Sequence, residues 1–118
     1  MEIDKKIIKG ISVYSLKGQI LLGTQNEYKK YFNRIAEEES HSTVILNLSG
    51  IGYINTAGVG MIIECFKRFK ENGGRLVLCS LVPQVATLLE IIKLTGLIEI
   101  YPDEKIAIQD TCKGGCYD

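Results

Sequence analysis

Three apolar residues stand on consecutive positions in Val44-Ile45-Leu46, inside the run from Thr43 to Leu48. Strict alternation would mark a strand with one wet face. A continuous run instead suits a strand covered on both faces, as in a sheet with helices packed on it. The downstream residues fit that setting. Val59, Ile62, Ile63, Phe66 and Phe69 recur at helical spacing, with Glu64, Lys67, Arg68 and Lys70 on the opposite face. Asn72-Gly73-Gly74 is a helix stop. A second buried strand, Arg75 to Leu81, comes next, and Pro83 suits the first turn of another helix. Val85, Leu88, Leu89 and Ile92 supply that helix's stripe, Gly96 ends it, and Leu97 to Tyr101 forms a short last strand.

Upstream, residues 3–9 and 11–16 read as two strands joined by a tight turn at Gly10, with Gly18 closing the unit. From Asn26 to Glu38, Tyr28, Phe32, Ile35 and Ala36 mark an amphipathic helix. Ser40 to Thr43 is a loop. Residues 105–109 form a short helix or strand before a polar tail. The order β β α β α β α β predicts an α/β layer fold, its sheet largely parallel and made mixed by the first hairpin.

The 118 residues correspond to one domain, large enough for a core without disulfide or metal staples. Fourteen basic residues balance fourteen acidic ones. That balance argues against sequence-independent binding of nucleic acid and against docking on anionic membranes. No apolar run reaches the ~20 residues that span a bilayer, and the first nine residues carry charges throughout. A cytoplasmic protein is expected.

Cys65 and Cys79 lie in apolar segments and read as small hydrophobes. Cys112 and Cys116 lie in a Gly-rich tail, where a metal or redox pair is conceivable; a structural zinc site needs about four ligands, and no second pair stands at ligand spacing. His41, the one histidine, sits in a polar stretch and reads as a loop residue. A small enzyme or thiol protein built on the two tail cysteines is the remaining reading of this set.

The most informative segment runs from Ser49 to Gly60, SGIGYINTAGVG. Asn55 and Thr56 are good helix caps. Gly58 and Gly60 each cost a helix about 1 kcal/mol relative to Ala. Either a partner approaches the backbone there, or the helix packs on the sheet with no room for a Cβ. The spacing matches neither GxxxxGK[ST] nor GxGxxG, which argues against a phosphate cradle.

The stretches NLSGIGYINTAGVGMI and GGRLVLCSLVPQVATLLEIIKLTGL resemble the STAS domain of bacterial anti-sigma factor antagonists, over about residues 7–101. Asn47 stands at the first Asp of the family pattern, Asn55 and Thr56 at its Asp-Ser pair, and Gly58 at the following Gly. Gly73-Gly74 and Thr95-Gly96-Leu97 also match. The resemblance implies a single STAS-like domain over residues 1–118, with a core at about 3–101 and a short terminal element and tail at 102–118. Four to five strands in a mixed, largely parallel sheet would be packed by three to four helices.

The resemblance further implies that Thr56 is a phosphoacceptor and that the chain has no catalysis or cofactor of its own. The partners would be an anti-sigma factor that is also an ATP-binding serine/threonine kinase, and a phosphatase that resets Thr56. The contact surface would comprise Gly50 to Thr56, read as a loop, and the helix from Ala57 onward; Tyr53, Ile54, Asn55, Ala57, Gly58 and Gly60 are its candidate residues. Asn55 replaces Asp and Thr56 replaces Ser, and on these differences rests the alternative of a phosphorylation-independent scaffold or transporter-accessory subunit.

Overall fold

Lys9 and Gly10 both have positive φ, the geometry of a two-residue turn whose twist matches paired strands. They join β1 (Glu2–Ile8) to β2 (Ile11–Ile20), which run antiparallel. The chain continues through α1 (Gln25–Glu39), β3 (Thr43–Ile54), α2 (Thr56–Glu71), β4 (Arg75–Cys79), α3 (Pro83–Ile91), β5 (Ile100–Tyr101) and α4 (Glu104–Cys112). This computed structural model describes residues 2–93 and 96–112. The five strands lie in the order β1-β2-β3-β4-β5, parallel except for β1. The expected mixed α/β sheet is therefore present.

One sheet face carries the larger core. Tyr28 and Phe32 of α1, Val59, Ile62 and Phe69 of α2, and Val85 and Leu89 of α3 pack there against Leu16, Leu46 and Leu78. Among the described residues the opposite face is covered by α4, whose Ala107 and Cys112 close over Ile11, Val13, Ile45, Val77 and Cys79. Glu104 fixes the start of α4 by accepting from the Asn47 amide at 2.9 Å and pairing with Lys6 at 2.6 Å.

Several boundaries differ from the sequence reading. Gly18 does not close β2, which continues to Ile20. β3 does not end at Leu48 but runs to Ile54, so the segment from Gly50 is strand rather than loop. Two irregularities in the β2–β3 pairing explain this. Each places an extra residue on β3, so the buried positions 46, 48, 51 and 54 drift from a period of two to a period of three. Gly50 occupies the tight point, where a Cβ would lie 2.7 Å from the Leu16 carbonyl oxygen.

β4 stops at Cys79, and Ser80 leaves with φ of 61°. α3 ends at Ile91 rather than Gly96; Ile92 is its C-cap and is exposed, and Lys93 turns left-handed. β5 keeps only Ile100–Tyr101 of the expected 97–101. The 105–109 segment is helix, and Cys112 is buried in its last turn instead of lying in a tail. The packed core therefore extends past residue 101. Thr95 and residues 113–118, including Cys116, lie outside the described residues.

Candidate functional site

Asn55 is the N-cap of α2, with extended backbone and a side-chain oxygen that accepts from the Gly58 N–H at 2.8 Å. Its own N–H donates to the Ile20 carbonyl at 3.0 Å, tying the end of β3 to the end of β2. The Asn55 amide then donates to Gln25 Oε1 at 2.9 Å. One side chain thus caps α2 and bonds to the first residue of α1. The cap was legible in the sequence. The Gln25 bond was not, since the two residues are 30 apart and share no local pattern.

Thr56 is the first residue of α2 and is exposed. Ala57 and Gly60 are exposed beside it, and Tyr53 is 40% exposed on the strand below. Two candidate contact residues are buried. Ile54 is 1% exposed because the β3 irregularities turn it into the core. Gly58 is buried beneath it, where a Cβ would lie 2.6 Å from Ile54 Cγ1 and 2.7 Å from Ile20 Cγ2. Gly58 is a packing glycine. Gly60 is different, since a Cβ there meets nothing within 4 Å.

No charged side chain stands in the first turn of α2, and Asn55, Thr56, Ala57, Gly58 and Gln25 are all neutral. The free N–H groups of that turn give it positive partial charge, favourable to an anion. Lys29, Glu64 and Arg68 lie along the groove between α1 and α2, which also takes in Ala57, Gly60 and Met61. The β2–α1 connection completes this end of the molecule. Leu22 is 83% exposed there, although the connection is fixed by Thr24, whose hydroxyl accepts from the Leu21 N–H and donates to the Gln19 carbonyl.

The other chemically suggestive residues lie elsewhere. His41 bonds through Nδ1 to the Asn72 carbonyl at the far end of α2. The Cys65 thiol donates to the Phe32 carbonyl, and burial pushes it up to about 12; burial pushes Cys79 up to about 11. Such thiols are poor nucleophiles at neutral pH. Among the described residues, no group of three His, Cys, Asp or Glu side chains is placed to hold a metal. No helix among them is long and apolar enough to cross a membrane.

Residues 2–107 match the family model of the STAS domain. The chain is 21% identical over 110 residues to the anti-sigma F factor antagonist of Paenibacillus polymyxa, covering 93% of this chain and 94% of that one. Among solved structures, a STAS domain protein from Planctomyces limnophilus superposes with a TM-score of 0.82 at 16% identity, covering 93% and 97% of the two chains. An anti-sigma factor antagonist from Mycobacterium paratuberculosis gives 0.78 at 17% identity, with 92% of each chain covered.

Proposed function

The chain belongs to the STAS domain family, and on that premise we propose that it is an anti-sigma factor antagonist whose partner binding is switched by phosphorylation of Thr56. The observation that carries the reading is the position of Thr56, exposed as the first residue of a helix capped by Asn55. The partner is an anti-sigma factor that also acts as an ATP-dependent kinase, and a phosphatase resets the site. In the forward step the Thr56 hydroxyl oxygen bonds to the γ-phosphorus of the partner's ATP. The bond to ADP breaks, and the hydroxyl proton passes to a base on the partner. Positioning and charge stabilisation for that step belong to the partner's site.

The consequence for binding follows from charge. A phosphoryl group adds about −1.5 to −2 charges to a neutral surface. The N-terminal end of α2 tolerates the anion, so the fold survives. A docked partner must instead desolvate it, and each ~1.4 kcal/mol so lost is a tenfold loss of affinity.

The test is a pull-down from native-host lysate with tagged wild type, Thr56→Ala and Thr56→Glu side by side. Recovery of an ATP-binding kinase by wild type and Thr56→Ala, but not by Thr56→Glu, supports the switch. The same partner on all three baits would overturn it in favour of a phosphorylation-independent scaffold or transporter-accessory subunit.

A further inference from the structure

The two edges of the sheet are unequal. β5 offers two residues, whereas β1 offers seven, paired to β2 in an unbroken register from Glu2 to Ile8. β1 contains no proline and no bulge, devices that commonly keep an edge strand from pairing with another chain. Its protection is charge, at Glu2, Asp4, Lys5 and Lys6, and both lysine charges are answered within the molecule. Lys5 pairs with Glu39 at 3.2 Å and lies over the Tyr14 ring, while Lys6 pairs with Glu104. Ile7 is 67% exposed on the same strand.

We propose that β1 is a self-association edge, pairing antiparallel with β1 of a second copy about a dyad at Lys5. Only registers that join residues of like parity keep each sheet face continuous. The register centred on Lys5 uses all seven residues of the strand. It sets Ile3 against the second copy's Ile7 on the α1 face, and Asp4 against its Lys6 on the α4 face, each pair twice. Shifting the centre to Asp4 opposes two carboxylates and leaves Ile7 and Ile8 unpaired. Shifting it to Lys6 sets Asp4 against Ile8 and leaves Glu2 and Ile3 unpaired, whereas the favoured register has its charge-to-apolar pair, Glu2 with Ile8, only at the strand ends. The one like-charge pair in the favoured register is Lys5 with its copy, and Glu39 holds that ammonium over Tyr14. The product is one continuous sheet of ten strands, twice the five of a single chain. The interface is narrow, so the association is concentration-dependent.

Sedimentation velocity over a micromolar to millimolar series tests this on the full chain, with wild type, Asp4→Lys and Ile7→Asp. Both substituted side chains are exposed, and circular dichroism checks their folding. Wild type is expected to pass from one chain mass to two, and each variant to dimerise at least tenfold more weakly. Register is read separately by oxidation of Lys5→Cys and Asp4→Cys in a Cys116→Ser background. Lys5→Cys should form a reducible dimer, whereas Asp4→Cys should not, since its own copy lies two residues out of register. A wild type that stays monomeric throughout, a dimer insensitive to both Asp4→Lys and Ile7→Asp, or cross-linking at position 4 instead of 5 would each overturn the proposal.

Discussion

Gly58 and Gly60 sit two residues apart in one helix and should respond oppositely to the same change. Gly60 has open space where a Cβ would go and lies inside α2, so Gly60→Ala should raise stability by about 0.5–1 kcal/mol. Gly58→Ala drives a methyl into Ile54 and Ile20 and should lower stability by about 1–3 kcal/mol. Urea midpoints of the two variants check the contrast. Under the proposed function Gly60→Ala carries a second readout, weaker partner binding despite higher stability. Equal partner binding would make Gly60 a residue with no role at the surface. Asn55 supplies the companion case. Asn55→Ala loses the bond to the Gly58 N–H and should cost about 1 kcal/mol. Asn55→Asp keeps the acceptor and adds a negative charge at a helix N-terminus, so it should remain within about 1 kcal/mol of wild type. A full loss in Asn55→Asp would show that the amide bond to Gln25, not the cap, holds this end together.

The elements are joined by polar links as well as by the core. Glu39, the last residue of α1, accepts from the Ser12 and Tyr14 hydroxyls on β2 and pairs with Lys5 on β1. Burial would raise its pKa, but the bonds from Ser12, Tyr14 and Lys5 outweigh that and hold it below its ordinary value of 4.5. Between the folded and unfolded values the unfolded chain binds more protons, so stability rises with pH there. The contribution of Glu39 is present in full above the ordinary value and lost as pH falls through the folded one. Glu39→Gln should therefore be less stable at neutral pH and should lose less on acidification from about pH 6 to about pH 3. Urea melts at several pH values read this directly, and an unchanged slope would assign the acid sensitivity to Glu99 and Glu104, also held low. At this scale the sequence was most legible where the signal is local to one element. Val44-Ile45-Leu46 reads as strand because all three are buried in one sheet, and Asn72-Gly73 ends α2 with a left-handed Gly73. It was least legible where two chain segments negotiate. Nothing near Gly50 announces that β3 must slip past β2, and the extension to Ile54 follows from that slip. α4 is hidden for another reason. Its buried residues, Ala107 and Cys112, are five apart and make no stripe.

The whole molecule is asymmetric across its sheet, and that asymmetry sets the order in which it opens. Among the described residues, three helices cover one face, and a single nine-residue helix covers the other. Small peripheral units with few buried contacts open at lower free energy than the global transition. α4 is such a unit, held by Ala107, Cys112, the Glu104 links to Lys6 and Asn47, and the bond from Tyr101 to Asp110. The chain carries a natural probe on each side. Cys79 lies under α4, and Cys65 lies between α1 and α2, both buried and both with raised thiol pKa. Neither reacts without an opening. Cys79 should therefore be alkylated in native protein faster than Cys65, at a rate that depends weakly on denaturant because detaching α4 exposes little surface. Cys65 should follow the global transition, with the full denaturant dependence. Glu104→Ala removes both links at the start of α4 and should accelerate Cys79 while leaving Cys65 within about the change that global stability predicts. Mass-spectrometric mapping of alkylated peptides separates the two sites. If Cys79 and Cys65 label together, with the same dependence on denaturant, then α4 is part of the global cooperative unit despite its thin contact with the sheet. If Cys79 leads, the α4 face opens independently of the face that carries Thr56, and under the proposed function a partner docked at Thr56 leaves the labelling of Cys79 unchanged.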